Sequence, residues 1–266
     1  MKIVVLGANG MFGSMMVFYA KKIGKEVIPV TRNEFNVLFD PIQELEKYMD
    51  KNTVVINCIG AIPQKKYTDE EYNILNRIFP WELATLCKKC GVKLIHISTN
   101  CVFSGKNNNC KELDECDASD IYGYTKAQGE PLDHGIVIRS SIIGLEKETS
   151  FGLLEWFLNN SMDFVNGYVD SFWNGLTTLE LAKVVLEVAE KEKVESNILH
   201  FHSEKTYSKY ELLHIFMEVF GKEKGILKKE NGLRYYTLQS IYTQGRKDIR
   251  DQLKELKEIA EKFYAI

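Results

Sequence analysis

The 266-residue sequence predicts an α/β protein built on a doubly wound parallel sheet, with a smaller C-terminal subdomain. Three observations carry this. A β-branched run at residues 2–6, K-I-V-V-L, leads straight into a glycine-rich turn and a helical pattern. Short apolar runs then alternate with amphipathic stretches as far as Arg139, which implies right-handed crossovers between parallel strands. Finally, the apolar run Val92 to Ile97 is followed by Ser98-Thr99-Asn100-Cys101, at the carboxyl end of a strand, where open sheets of this kind hold ligands.

Composition narrows the class. Hydrophobic residues make up 45% and charged residues 27%, ordinary for a soluble globular protein. A formal net charge of −3 gives no electrostatic reason to expect nucleic acid or an anionic membrane as partner. No apolar run approaches the roughly 20 residues of a membrane helix. Met1-Lys2 enters a strand directly and leaves no room for a signal peptide, so a cytoplasmic location is expected. The six cysteines are scattered; Cys87 and Cys90 are a C-x-x-C within a helical pattern with no second pair, so reduced thiols and no metal site are expected.

Taken in order, the first turn reads Gly7-Ala8-Asn9-Gly10-Met11-Phe12-Gly13. Glycines at this spacing permit a tight turn and close approach of a pyrophosphate, with the helix from Met11 aiming its amides at the charge. The second strand, Glu26 to Val30, ends in Thr31-Arg32 with no acid at the strand end, Glu34 coming slightly late. An arginine there suits the 2′-phosphate of NADPH, with either NADPH or NADH accepted if Arg32 is merely solvated. The third strand, Thr53 to Asn57, runs into Cys58-Ile59-Gly60, small enough to lie along a cofactor. A long helix is predicted from Asp69 to Cys90, interrupted near Pro80 and capped by Gly91.

After the fourth strand and a polar stretch at 104–118, a helix from about Asp120 carries Tyr122 and Lys126. Four residues apart, they share one face. A tyrosine needs its phenolate stabilised to work near neutrality, which an ammonium does, while the Thr99 hydroxyl can hold a carbonyl beside it. The three together suit proton donation during carbonyl reduction by hydride. A fifth strand, Gly135 to Arg139, completes residues 1–145 as a dinucleotide-binding domain. In 146–266, helices are predicted at Phe151 to Asn160, Thr178 to Lys191, Tyr207 to Phe220 and beyond Lys247, some returning to the core, with a strand at Asn197 to Phe201. Loops at Asn166-Gly167-Tyr168 and Trp173-Asn174-Gly175 are aromatic and amide-rich, a chemistry suited to a sugar and a base.

With G-x-x-G-x-x-G, S-T-N-C-V-F-S-G and Y-G-Y-T-K-A-Q-G-E in hand, the chain resembles the extended short-chain dehydrogenase/reductases, whose core is a Rossmann fold. Within them it is most similar to the dTDP-4-dehydrorhamnose reductase group. The resemblance covers residues 1–145 well, extends to W-N-G-x-T-T, and fades over the last 60 residues. It implies NADPH-dependent reduction of the C4 ketone of a nucleotide-activated 4-keto-6-deoxy sugar, in the synthesis of surface polysaccharide. Thr99 would polarise the carbonyl, Tyr122 would donate the proton, and Lys126 would lower its pKa and hold the nicotinamide ribose. Gly7, Gly10 and Gly13 would cradle the pyrophosphate with Asn9, Met11 and Phe12 nearby. Thr99, Asn100, Cys101, Trp173 and Asn174 would meet the sugar.

The sequence departs from the group at Asn100-Cys101, where S-T-D-Y-V-F is common. A cysteine there resembles GDP-fucose synthases and bifunctional 3,5-epimerase/4-reductases, in which it acts as base. The opposite face then needs an acid, a histidine or lysine in those families, and the matching region, Glu148 to Trp156, offers Glu148 and Glu155 but neither of those. The resemblance also includes redox-neutral 4-epimerases and an NADP-binding regulatory subunit without catalysis. It implies a homodimer formed through the helices that flank the fourth and fifth strands.

Overall fold

The computed structural model describes residues 1–147 and 149–265. Five strands come first: β1 (Lys2–Leu6), β2 (Glu26–Val30), β3 (Thr53–Asn57), β4 (Lys93–Ile97) and β5 (Ile136–Arg139). Eight more follow: β6 (Ile142–Ile143), β7 (Phe164–Tyr168), β8 (Ser171–Trp173), β9 (Leu176–Thr177), β10 (Ile198–His200), β11 (Tyr207–Ser208), β12 (Gly225–Lys229) and β13 (Arg234–Tyr236). The helices are α1 (Met11–Lys22), α2 (Asp69–Tyr72), α3 (Phe79–Cys90), α4 (Ile121–Gln128), α5 (Leu153–Asn159), α6 (Thr178–Glu190), α7 (Lys209–Phe220) and α8 (Ile249–Tyr264).

A parallel six-stranded sheet runs β10-β5-β4-β3-β1-β2. Both faces are covered, and β1 shows how. Ile3 and Val5 enter the cluster beneath α1, α6 and α8, whereas Val4 and Leu6 enter the one beneath α3. Alternate side chains of one apolar run thus serve two cores, the reason the run shows no polar alternation. Strand order reverses beside β1, since β2 lies on one side and β3 on the other. The crevice at the carboxyl ends of β1, β3 and β4 is therefore the ligand position that this topology provides.

The expected break at Pro80 is a widened turn instead. A π turn at Asn73–Ile78 joins α2 to α3. Pro80 has no N–H for the Asn76 carbonyl, and the freed carbonyl is packed by the end of α4: a Cβ added to Gly129 would lie 1.7 Å from it. Gly91, at φ +68°, ends α3 as expected.

The C-terminal part departs more from expectation. The stretches at 166–168 and 173 are strands, not loops, in small sheets ordered β12-β7 and β11-β8-β13. Tyr207 and Ser208 belong to β11, so the seventh helix starts at Lys209, with Ser208 and Glu211 forming a capping box. A buried ion pair ties this part to the core. Arg139 donates to both oxygens of Glu130, which also accepts from Ser98 at 2.6 Å, and Arg139 reaches His200 of β10 at 3.3 Å. Among the described residues no helix is long and apolar enough to cross a membrane.

Candidate active site

The glycine turn after β1 is closed by geometry that only glycine allows. Gly7 adopts φ +76°, and the Gly7 and Ala8 amides both donate to the Val30 carbonyl. A Cβ added to Gly13 would lie 2.2 Å from the Gly7 carbonyl oxygen, so α1 abuts the turn directly. Gly10 caps α1 without a side-chain acceptor, and the first turn holds no acid. The first-turn amides, those of Met11 and Phe12 among them, are thus left for an anion. The Phe12 side chain is buried in the core, so only its backbone can serve; Asn9 is exposed. This cradle fits a dinucleotide pyrophosphate.

At the end of β2, Arg32 is exposed and its guanidinium approaches the Tyr67 hydroxyl at 3.4 Å. The expectation that no acid stands here needs correcting. Glu34 folds back, and its carboxylate accepts from the Thr31 amide at 2.8 Å and the Thr31 hydroxyl at 2.6 Å. Those bonds hold its pKa below the usual range. The strand end therefore presents a guanidinium and a carboxylate together.

Beyond β3, Cys58, Ile59 and Gly60 lie at the same crevice. A Cβ on Gly60 would stand 4.0 Å from Lys126 Nζ, and burial raises the Cys58 thiol with Lys126 opposing. One buried amide, Asn76, fastens this loop: it accepts from Ala61 N and donates to the Ala61 carbonyl and to Thr125 Oγ1 of α4. An asparagine on the inner face of a predicted helix was the available signal for it.

Thr99, Cys101, Tyr122 and Lys126 meet at the carboxyl end of β4. Thr99 Oγ1 accepts from the Cys101 amide at 3.1 Å and caps a short 3-10 turn, Asn100–Val102. Asp120 caps α4 through the Gly123 amide, and a Cβ on Gly123 would fall 2.2 Å from the Cys101 carbonyl. That close approach sets Tyr122 against the Thr99 turn. Burial pushes the Tyr122 phenol up, as does the Cys101 thiol beside it, while the Thr99 hydroxyl favours its phenolate. Lys126 is pulled down to about 8 by burial, against Glu130 and Cys58. Its Nζ donates to the Ile97 carbonyl at 2.8 Å and lies 3.4 Å from His96 Nε2. Among the described residues no hydrogen bond joins it to Tyr122, so the ammonium expected beside the phenol is anchored at the strand end.

Cys101 is half-buried, and burial raises its thiol, with Thr99 and Lys209 opposing. Asn100 is buried, its Oδ1 facing Thr99 Oγ1 at 3.4 Å. Glu155 is spent within the fold, accepting from the Glu146 amide, Asn159 and Tyr264. Glu148 lies outside the described residues. The sugar-facing roles expected of Trp173 and Asn174 are not what their polar atoms do. Trp173 Nε1 donates to Ser141 Oγ at 2.7 Å, and Asn174 is paired at both amide atoms with the Leu238 backbone, because the short strand β8 needs side-chain ties at its end.

The C-terminal part instead contributes Lys209 and Tyr236, which the sequence reading missed. Lys209 Nζ sits 4.8 Å over the Tyr236 ring and is close enough to Cys101 for each to perturb the other. Among the described residues no carboxylate lies within ion-pairing distance of it. Nothing in the sequence joins a first-turn lysine to a residue more than a hundred positions earlier; only the packing of α7 does.

Residues 1–243 match the RmlD substrate binding domain. The chain belongs to that family. It is 31% identical to the dTDP-4-dehydrorhamnose reductase of Mycolicibacterium smegmatis over 133 residues, 48% of this chain and 40% of that protein. The chain thus matches less than half the length of that relative. Over 235 residues it is 26% identical to the spore coat polysaccharide biosynthesis protein SpsK of Bacillus subtilis, 85% of this chain and 82% of that protein. The crystal structure of a dTDP-4-dehydrorhamnose reductase from Clostridium acetobutylicum superposes with a TM-score of 0.84 at 22% identity, covering 98% of this chain and 100% of that one. That of a dTDP-4-dehydrorhamnose reductase from Bacillus anthracis in complex with NADP gives 0.84 at 15% identity, covering 97% and 99%. These two structures bear on the fold.

Proposed function

We propose that the protein is an NADPH-dependent reductase of the C4 ketone of a nucleotide-activated 4-keto-6-deoxy sugar, serving surface-polysaccharide synthesis. The observation that carries this is the convergence of Thr99, Tyr122 and Lys126 at the end of β4, facing a glycine cradle at the strand-order reversal. Relatives named as reductases of dTDP-linked keto sugars, and as spore-coat and glycan biosynthesis proteins, support the substrate class.

The nicotinamide cofactor supplies the hydride when bound against residues 7–13 and 58–60. Every other part belongs to the chain. Thr99 donates its hydroxyl to the substrate carbonyl. Tyr122, kept protonated by burial, gives its proton to the oxygen that becomes an alcohol. Lys126, held by the Ile97 carbonyl, faces the ribose side of the crevice beside Gly60. Residues 1–145 carry the cofactor, and the chain beyond them brings the sugar nucleotide, with Lys209 over the Tyr236 ring and both near Cys101. Arg32 favours NADPH, while Glu34 leaves NADH as an alternative donor.

The raised Cys101 thiol and the committed Glu155 favour reduction without epimerisation. An intact Thr99, Tyr122 and Lys126 favours an enzyme over a regulatory binding subunit. The free cysteines fit a cytoplasmic location. A second copy would cover Ile78, Trp81, Ile121 and Tyr124, exposed around α3 and α4, which Trp81 links by donating to the Gln128 carbonyl. Turnover of NADPH with a panel of dTDP-, UDP-, GDP- and CDP-linked keto sugars tests the reading. Light scattering of the same protein tests the dimer.

A further inference from the structure

Lys126 rests on a buried chain of polar groups whose proton positions follow from geometry. Asn57 Oδ1 accepts from the Ile59 amide at 3.1 Å. A backbone N–H can only donate, so this bond fixes the amide's orientation and leaves Nδ2 facing His96 Nδ1, at 3.0 Å. Nδ2 in turn can only donate. His96 Nδ1 is therefore an acceptor, and the neutral ring carries its proton on Nε2. Both Asn57 and His96 are fully buried, and burial with Lys126 nearby keeps the imidazole well below its usual range. The Nε2–H points at Lys126 Nζ, 3.4 Å away. Against an ammonium, two donors meet. Against a neutral amine, a donor meets a lone pair.

Resting on the reductase reading above, we propose that His96, fixed by Asn57 as the Nε2–H tautomer, is a positioning residue that receives the lone pair of neutral Lys126 and so sets the pH at which Lys126 releases its proton. In the cycle, the Tyr122 O–H bond breaks and its proton goes to the product oxygen. One N–H bond of the Lys126 ammonium then breaks, and that proton reaches the Tyr122 phenolate through a bridging hydroxyl or water. The amine left behind donates to the Ile97 carbonyl and accepts from His96. Solvent returns one proton to Lys126, so each turnover consumes one. The other ionisable groups facing Lys126 are Glu130, just past the end of α4, and Cys58 after β3. Glu130 is occupied by Arg139 and Ser98, and burial holds Cys58 as a thiol.

Nitrogen-15 NMR of the cofactor-free protein, labelled at its five histidines, tests this directly. His96→Gln identifies the signal. The expected spectrum shows the Nε2–H tautomer with no imidazolium between about pH 6 and 9. Its Nε2 resonance should move with a midpoint at about 8, the Lys126 value, and should stop moving in Lys126→Met. In turnover, His96→Leu removes the donor, favours the ammonium and should move the alkaline limb of kcat up by about one pH unit. His96→Gln, which keeps an N–H at similar reach, should restore the profile. An Nδ1–H tautomer, a resonance indifferent to Lys126→Met, or an unmoved alkaline limb in His96→Leu would each overturn the proposal. The NMR readout needs neither cofactor nor substrate, so failure to reduce any keto sugar would count against the reductase reading separately.

Discussion

Gly13→Ala should damage cofactor binding through the backbone alone. The added Cβ would stand 2.2 Å from the Gly7 carbonyl oxygen, 2.9 Å from its carbon and 3.1 Å from the Ala8 Cα. All three are backbone atoms, with no side chain to swing aside. Restoring ordinary contact requires α1 to retreat from the turn by about 1 Å, at an overpacking cost of about 1–3 kcal/mol. The same retreat withdraws the helix's first amides from the pyrophosphate. Losing one charge-assisted hydrogen bond of about 1.5–3 kcal/mol lowers NADPH affinity roughly 10- to 150-fold. Gly10→Ala separates the two effects. Its Cβ meets only the Gly7 oxygen, at 3.3 Å, and its φ of −70° suits any residue, so binding should fall with little change in Tm. NADPH titration by fluorescence and thermal melting of both variants provide the assay. A Gly13→Ala protein with wild-type NADPH affinity and wild-type Tm would refute the close packing inferred for this turn.

Other perturbations follow from the same geometry. Lys126→Met should abolish turnover yet stabilise the fold at pH 7. Lys126 titrates at about 8 rather than 10.5, so the unfolded chain binds the extra proton between those values and wild-type stability rises through that window; below it the full penalty, up to ~3 kcal/mol, applies. Denaturant melts should therefore show Lys126→Met ahead at pH 7 and the gap closing by about pH 10, and a gap independent of pH would contradict the assignment. Glu34→Gln should raise the ratio of NADPH to NADH use several-fold and Arg32→Ala should lower it, read as kcat/KM for each donor. Equal ratios in all three proteins would place the 2′-phosphate elsewhere. Lys209→Met should raise KM for the nucleotide sugar by about tenfold or more while leaving the Kd of NADPH unchanged. A loss of NADPH affinity instead would show that Lys209 does not face the sugar.

Much of this was legible from residue type and spacing wherever the contacts are local. The β1–glycine–α1 unit is contiguous, and β2 and β3 have the bounds that their apolar runs suggested. Tyr122 and Lys126 were found because a helix carries their spacing. His96 was hidden inside an apolar strand run, where a lone histidine reads as filling; its role emerges only when β3 brings Asn57 beside it. Glu34 stands too late in the sequence to count as a strand-end acid, and a turn of three residues returns its carboxylate to Thr31. The short strands β7, β8, β11 and β13 are two to five residues long and paired over long separations, so period-2 patterning had too few positions to register. For the same reason Trp173 and Asn174 are conspicuous in the sequence as aromatic and amide, a ligand-facing chemistry, whereas their polar atoms tie strands together, and no local pattern marks Lys209.

The most direct test of the central claim is the disappearance of NADPH absorbance on mixing the protein with a panel of nucleotide-linked 4-keto-6-deoxy sugars, with Tyr122→Phe in parallel. Turnover with at least one sugar nucleotide is expected, lost in the variant while NADPH still binds. Tight NADPH binding with no turnover on any of them, or turnover unaffected by Tyr122→Phe, would contradict it.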